Sequence, residues 1–106
     1  MVKSEIIRTL KKYRKTLTAD GIPVLKMVLY GSQANGHCHK DSDIDVAVIS
    51  QEFGKDRFEE GVRLFKLAYK IDPRIEPVPL SLKAYEKDTW VPLIYEIRTK
   101  GVAIKA

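Results

Sequence analysis

The chain has 106 residues, of which 44% are apolar and 31% charged, an ordinary balance for a soluble globular protein. This length predicts one domain, residues 1–106, and excludes two independent hydrophobic cores. No apolar run approaches the roughly 18 residues of a membrane span, and neither a secretory segment nor a possible internal disulfide is present, so we expect a cytoplasmic protein.

An amphipathic helix is predicted over residues 3–18, because apolar residues recur there at three- and four-residue spacing. Ser4 is a candidate N-cap, and Asp20-Gly21 is expected to end the helix. Much of the formal charge of +5 lies in this segment. Such a charge run is typical of a solvated helix face, and attraction of a polyanion is the alternative.

A run rich in β-branched and apolar residues, 24–30, predicts the first strand, and Gly31-Ser32 follows it directly. Glycine lets the backbone approach a ligand without a Cβ in the way, while Ser32 offers a hydroxyl and an amide. A short helix starting here would direct its N–H groups toward an anion. Alone, the pair indicates only a turn.

The polar loop 35–42 carries turn chemistry at Asn35-Gly36 and a run of three possible metal ligands, His37, Cys38 and His39. Adjacent ligands cannot easily point at one ion, and no second cluster follows, so we do not expect structural zinc. Lys40 is expected to contact solvent rather than phosphate, and Ser42 to orient the residue after it.

Two aspartates open the second strand, in the sequence Asp43-Ile44-Asp45 followed by a Val/Ile run to Ile49. Alternation along a strand places both carboxylates on one face, roughly 6–7 Å apart at Cβ. Strands disfavour aspartate, and two like charges on an otherwise apolar sheet repel each other. A divalent metal ion would explain both residues.

A second helix is predicted over residues 56–70, with its apolar residues taken to be Phe58, Val62, Leu64, Phe65, Ala68 and Tyr69. Ile71-Asp72-Pro73 should end it, because the residue before proline is disfavoured in a helix. Residues 74–80 predict a short strand at or near the sheet edge, since Pro77 and Pro79 cannot donate to a ladder.

Residues 81–90 are predicted to be irregular, followed by a last helix over 91–100 with Pro92 in its first turn. Leu93, Ile94 and Ile97 are expected to face inward, and a short strand, 102–104, to follow Gly101. Trp90 and Tyr95 are interpreted as core or interface residues rather than as a platform for a nucleobase.

Gly31-Ser32, a ten-residue spacer and Asp43-x-Asp45 resemble the signature of the nucleotidyltransferases related to DNA polymerase beta. The longer string GSQANG…SDIDVAV resembles the minimal nucleotidyltransferases, small proteins often encoded beside a HEPN-domain partner. The resemblance implies the nucleotidyltransferase fold, an α/β domain with a small mixed sheet, helices packed on it and the active site on one sheet face.

The resemblance also implies a mechanism in which Asp43 and Asp45 hold Mg²⁺ at the phosphates of ATP. Gly31, Ser32 and Ser42 would bind and position the nucleotide. A third acidic residue is expected on the strand after the second helix; Glu76 has that place in the chain, and Asp72 is its competitor. Glu76 would complete a two-metal site and take the proton of the attacking hydroxyl.

The resemblance further implies an antitoxin that transfers AMP to a tyrosine of a HEPN ribonuclease. The acceptor would be held by a second subunit or by that partner. Two positions depart from the family pattern: Glu76 replaces a common Asp, and Asn35 lies where relatives often have a basic residue. The alternatives are a non-catalytic antitoxin of the same fold and, more remotely, an RNA-binding domain, which the lack of an aromatic stacking platform disfavours.

Overall fold

A computed structural model of the protein describes residues 2–36 and 42–106, which form helices alternating with strands. In chain order these elements are α1 (Ser4–Ala19), β1 (Lys26–Tyr30), α2 (Ser32–Asn35), β2 (Ile44–Ser50), α3 (Arg57–Ile71), β3 (Ile75–Ser81), α4 (Leu82–Lys87), α5 (Pro92–Lys100) and β4 (Val102–Ala103). Among these helices, none combines the length and the apolar character that crossing a bilayer requires.

The four strands form one mixed sheet in the order β3-β2-β1-β4. β1 pairs antiparallel with both β2 and β4, whereas β2 and β3 run parallel. The edge position predicted for the proline-containing strand is confirmed, because β3 pairs only with β2 within this sheet. The mixed α/β architecture predicted from the sequence is likewise confirmed.

α1 and α3 cover one face of the sheet and form the larger hydrophobic cluster with it. Leu10, Tyr13 and Leu17 of α1 pack there with Met27 and Leu29, all at 0% exposure. Tyr13 also donates a hydrogen bond of 2.8 Å to the carbonyl of Leu64 on α3. The two helices are therefore fixed to each other as well as to the sheet.

The opposite face of the sheet is covered by α5 and, in part, by α4. Val28 and Tyr30 of β1 lie on this face, where they join Ile94 and Ile97 of α5 in a second buried cluster. Alternation along β2 places Ile44, Val46 and Val48 toward α1 and α3, and the intervening residues toward α5. Asp45 is one of those intervening residues.

Several details of the sequence prediction are wrong. Ser4 is the first residue of α1 and makes no cap; the N-cap is Lys3. Residues 81–90 are not irregular throughout, because the Ser81 hydroxyl accepts a hydrogen bond of 3.0 Å from the amide of Ala84 and starts α4, which ends at Lys87. The cap at Ser81 thus starts a helix in a segment whose polar composition predicted a loop.

The helix faces also differ from the prediction. The buried residues of α3 are Leu64, Leu67 and Ala68, while three of its large apolar side chains lie in solvent: Phe58, Phe65 and Tyr69. On the last helix Ile94 and Ile97 are buried as expected, whereas Leu93 is exposed. Trp90 and Tyr95 are 79% and 59% exposed, so neither belongs to the core.

Candidate active site

Asp43, Asp45 and Glu76 all lie near the points where β2 and β3 begin. Asp43 lies one residue before β2, and Asp45 is the second residue of that strand. The parallel register pairs Asp45 with Glu76, the second residue of β3. Paired residues on neighbouring strands share a sheet face, so both carboxylates belong to the face covered by α5.

Gly31 lies against Asp45, because its neighbour Tyr30 is the β1 residue that pairs with Asp45. A Cβ built on Gly31 would be 2.6 Å from the Oδ2 atom of Asp45. The backbone there has φ +75° and ψ −153°, a combination that side chains strongly disfavour. Both the contact and the dihedral angles therefore require glycine, and the group that they bring close is the Asp45 carboxylate, whereas the approach of a ligand to Gly31 stays a prediction.

The short helix predicted after Gly31 is α2, for which Gly31 is the N-cap. The Gly31 carbonyl accepts the amides of Ala34 and Asn35, at 3.2 and 3.3 Å. Ser32 is half-buried at its first position, directly after the glycine that contacts Asp45. Asn35 is exposed at its last position.

Gln33 is a supporting residue that sequence reasoning missed. Its side chain is only 3% exposed, and its Nε2 atom donates a 3.2 Å hydrogen bond to the carbonyl of Ser42. This bond ties α2 to the residue that precedes Asp43, so it helps to place the first carboxylate. The one available signal was an amide side chain directly after Gly31-Ser32, which is too common to be diagnostic.

The carboxylates of this region repel one another electrostatically. The pKa of Asp45 is raised, first by burial and then by the charges of Asp43, Glu76 and Glu96. Burial and the negative charges of Asp45, Glu96 and Glu76 raise the pKa of Tyr30 to about 12. Glu96, on α5, is a fourth acidic residue of this site that no local pattern in the sequence indicated.

Asp72, the competitor of Glu76, has another role. Its carboxylate forms an ion pair with Arg74, with a separation of 2.8 Å to Nη2, and that hydrogen-bonded partner lowers the pKa of Asp72. Neither ion pair between described residues includes Asp43, Asp45 or Glu76. Asp72 therefore has a structural role. Asp43, Asp45 and Glu76 take part in neither of these two ion pairs.

The donor set fits a hard divalent cation, since Asp45 is half-buried and the charges of the exposed Asp43 and Glu76 repel its own. Across residues 2–36 and 42–106, however, no three His, Cys, Asp or Glu side chains form a group that could hold a metal ion. Asp43, Asp45 and Glu76 suit Mg²⁺ by chemistry, although the described side chains do not group around one ion. His37, Cys38, His39, Lys40 and Asp41 lie outside the described residues.

Comparison with known proteins identifies the family. Residues 7–103 match the nucleotidyltransferase domain family, which is nearly the whole chain. The chain is a nucleotidyltransferase. This match agrees with the resemblance of the Gly-Ser and Asp-x-Asp motifs, and it is independent of the geometry described above.

A curated relative of this nucleotidyltransferase is a candidate protein adenylyltransferase from Methanocaldococcus jannaschii. The two are 29% identical over 100 residues, which cover 94% of this chain and 96% of the relative. The relative therefore has nearly the same extent as this nucleotidyltransferase, without a large additional region on either side.

Several solved structures resemble the nucleotidyltransferase, and they include two toxin–antitoxin complexes. A candidate nucleotidyltransferase from Sulfolobus solfataricus has a TM-score of 0.66 at 15% identity, over 93% of this chain and 78% of that one. A toxin–antitoxin complex with AMP-PNP has 0.62 at 28% identity. A mutant MntA–HpeT toxin–antitoxin complex has 0.61 at 24%, and both complexes match over 91% of this chain and 72% of theirs.

Proposed function

We propose that this nucleotidyltransferase is a cytoplasmic antitoxin that transfers AMP from ATP to a tyrosine hydroxyl of a HEPN-domain toxin. Three findings support the proposal: the family, a relative named for protein adenylylation, and the likeness to a toxin–antitoxin complex that contains AMP-PNP. We take residues 1–106 as one nucleotidyltransferase domain, whose acceptor is presented by the partner protein.

The arrangement of Gly31, Asp45 and Glu76 is the observation that carries this proposal. A glycine backbone lies directly against one carboxylate, and the second carboxylate is the register partner of the first on a parallel strand. A simple docking surface has no need of these features, because a like charge beside the half-buried Asp45 raises the cost of folding. Binding a charged phosphate chain together with a cation gives them a purpose.

Each residue then has a role. Asp43 and Asp45 would hold Mg²⁺, with Glu76 as the third ligand, and bound Mg²⁺ would supply neutralisation of phosphate charge. Gly31 admits the triphosphate close to the backbone, and Ser32 donates a hydrogen bond to it, with Ser42 beside them. Glu76 accepts the proton as the tyrosine oxygen bonds to the α-phosphorus and diphosphate leaves.

The test is to incubate the protein with ATP, Mg²⁺ and its toxin and to measure the intact mass of the toxin. We expect one or more AMP groups on the toxin. Glu76→Ala should still bind ATP but transfer slowly, whereas Glu52→Ala, an exposed glutamate outside the site, should transfer at the wild-type rate.

A non-catalytic antitoxin is the second candidate function. It is supported by the absence, among the described residues, of three side chains grouped to hold a metal ion. In that case the protein would form a tight complex with its toxin and leave the toxin's mass unchanged with every nucleotide and metal. Glu76 and Asn35, the two departures from the family pattern, would then be the first positions to restore to Asp and Arg.

A further inference from the structure

The outward face of α3 carries a stripe of large apolar side chains that the fold does not use. Its members, here called the α3 stripe, are Phe58, Val62, Phe65 and Tyr69. Phe58 is 75% exposed, Phe65 47% and Tyr69 66%, and Val62 is half-buried. Isolated exposed apolar residues are common, but four on one line of a helix mark an interaction surface.

The stripe is symmetric along the helix. Its members are separated by four, three and four residues, and this series is unchanged when it is read backwards. The midpoint between Phe58 and Tyr69 is also the midpoint between Val62 and Phe65. A second copy running antiparallel about a two-fold axis at that point places Phe58 opposite Tyr69 and Val62 opposite Phe65.

The charged residues beside the stripe become complementary under the same two-fold axis. At 100° per residue, Glu59, Lys66 and Lys70 all lie on one flank of the stripe and are exposed. The two-fold axis keeps this flank on the same side in both copies. Glu59 of one copy then lies opposite a point midway between Lys66 and Lys70 of the other, and both ends of the interface gain opposite charges.

Two other charged residues of α3, Glu60 and Arg63, are already engaged within the chain. Glu60 accepts hydrogen bonds from the amides of Gly54, Lys55 and Asp56, and Arg63 forms an ion pair of 3.0 Å with Asp20. Glu59, Lys66 and Lys70 form neither of the ion pairs between described residues. The charges left on the flank are thus those that an antiparallel copy would pair.

The other flank of the stripe is open to a close neighbour. Gly61 lies there, and a Cβ built on it meets no atom within 4 Å. An open cavity of about 450 Å³ lies beside the stripe, and its lining includes Phe58, Gly61 and Phe65. Helices pack about 8–10 Å apart, and a small residue favours the shorter distance.

We infer that the chain forms a homodimer in which α3 packs against α3 of a second copy, antiparallel and about a two-fold axis. A helix of a different protein would have no reason to match the palindromic spacing and the flank charges together. α3 covers the sheet face opposite Asp45, so the dimer leaves the active site open. The inference does not depend on the proposed function.

The first test is sedimentation of the full chain over roughly 1–500 µM, because a small interface predicts dissociation in the micromolar range. We expect a monomer–dimer equilibrium for the wild type and a monomer for Phe65→Glu with an unchanged melting temperature. Trp90→Ser removes an aromatic residue outside the stripe that is more exposed than Phe65, 79% against 47%, and should dimerise like the wild type. A wild type that stays monomeric throughout this range would overturn the inference.

The second test is a charge swap that only the antiparallel arrangement predicts. Glu59→Lys alone, and Lys66→Glu with Lys70→Glu alone, should each weaken self-association at least about tenfold, because like charges then meet at both ends. Mixing the two variants should restore dimers of wild-type affinity, because opposite charges again face each other at both ends of the interface. Mixing Glu52→Lys with Lys11→Glu, both exposed and off the stripe, is the control. Variants that dimerise no better when mixed than alone would also overturn the inference.

Discussion

Gly31 has the strictest requirement of any single position in the site. Its φ of +75° belongs to the region that glycine alone adopts easily, and its missing Cβ makes room for the Asp45 carboxylate. Gly61 is the opposite case, since it lies inside α3 with empty space around it and no positive φ. The chain therefore supplies its own control for the role of glycine.

We expect Gly31→Ala to destabilise the fold by roughly 1–3 kcal/mol, because the new Cβ meets a carboxylate oxygen in a strained backbone conformation. Gly61→Ala should stabilise it by up to about 1 kcal/mol through helix propensity. Urea denaturation of both variants measures these changes. Equal effects of the two substitutions would mean that the Gly31 environment imposes no special constraint.

Asp45 shows the cost that the site imposes on the fold. Its raised pKa means that the folded state binds the proton more tightly than the unfolded state does. Its favourable contribution is complete below the unfolded pKa of about 3.9 and is lost as pH rises through the folded value. At neutral pH the ionised side chain is therefore destabilising in the metal-free protein.

Asp45→Asn should consequently raise the free energy of unfolding at pH 7, by roughly 0.5–1 kcal/mol, as is usual when a functional strain is removed. The gain should shrink as pH falls toward 3.5, where the wild-type side chain is also neutral. Thermal melts from pH 3.5 to 8 with a chelator, with Glu52→Gln as the control, give the measurement. A gain that is the same at both ends of this range would argue against electrostatic repulsion as its cause.

At the scale of elements, the connection between α3 and β3 sets the position of Glu76. The Asp72 side chain pairs with Arg74 immediately before β3, and the carbonyl of Arg74 accepts the amide of Ile44 at 2.8 Å. The turn thus links the start of β3 to the start of β2. This link sets the parallel register in which Asp45 faces Glu76.

Asp72→Asn should lower the free energy of unfolding by about 1 kcal/mol at pH 7, the usual size for a partly exposed ion pair with hydrogen bonds. Because the folded pKa of Asp72 is lowered, this stabilisation is present above about pH 3.9 and is lost as pH falls through the folded value. Denaturation at pH 7 and pH 2.5 should show the difference closing at acid pH. A difference that persists there would indicate packing rather than charge.

For the whole molecule, bound nucleotide and metal should stabilise the fold, because both would bind only when the two strands and α2 are assembled. ATP with Mg²⁺ at about 100 times its dissociation constant should add roughly 2.7 kcal/mol to the free energy of unfolding. For a domain of about 100 residues this corresponds to a rise in melting temperature of roughly 10–20 °C.

Replacing Asp43 and Asp45 together by Asn should abolish that rise and leave the nucleotide-free fold intact. The Glu52→Gln variant should retain it, since Glu52 is exposed beyond the end of β2. Differential scanning fluorimetry with ATP alone, Mg²⁺ alone and both together separates the contributions. If the double variant responds like the wild type, the nucleotide binds elsewhere on the molecule.

The amino-acid sequence alone determined the local parts of the site. Alternation along a strand put Asp43 and Asp45 on one face, Gly31 indicated close backbone approach, and proline content assigned β3 to an edge. The edge position of β3 is confirmed, and the fold requires glycine at residue 31, because both depend on local backbone geometry that follows from sterics. The shared face of Asp43 and Asp45 and the approach of a ligand to Gly31 stay predictions. The helix face of α3 was misjudged, since periodicity finds an apolar stripe without saying whether a sheet or a second molecule covers it.

Only the tertiary structure decided which distant residues share the site. The pairing of Asp45 with Glu76 follows from a register that the turn at Asp72 sets, and Glu96 reaches the site because α5 packs on that sheet face. Gln33 supports the site because its side chain is buried and donates a hydrogen bond to the carbonyl of Ser42. These relations arise from long-range packing, which no spacing along the chain encodes, because each depends on which surfaces bury one another when the whole chain folds.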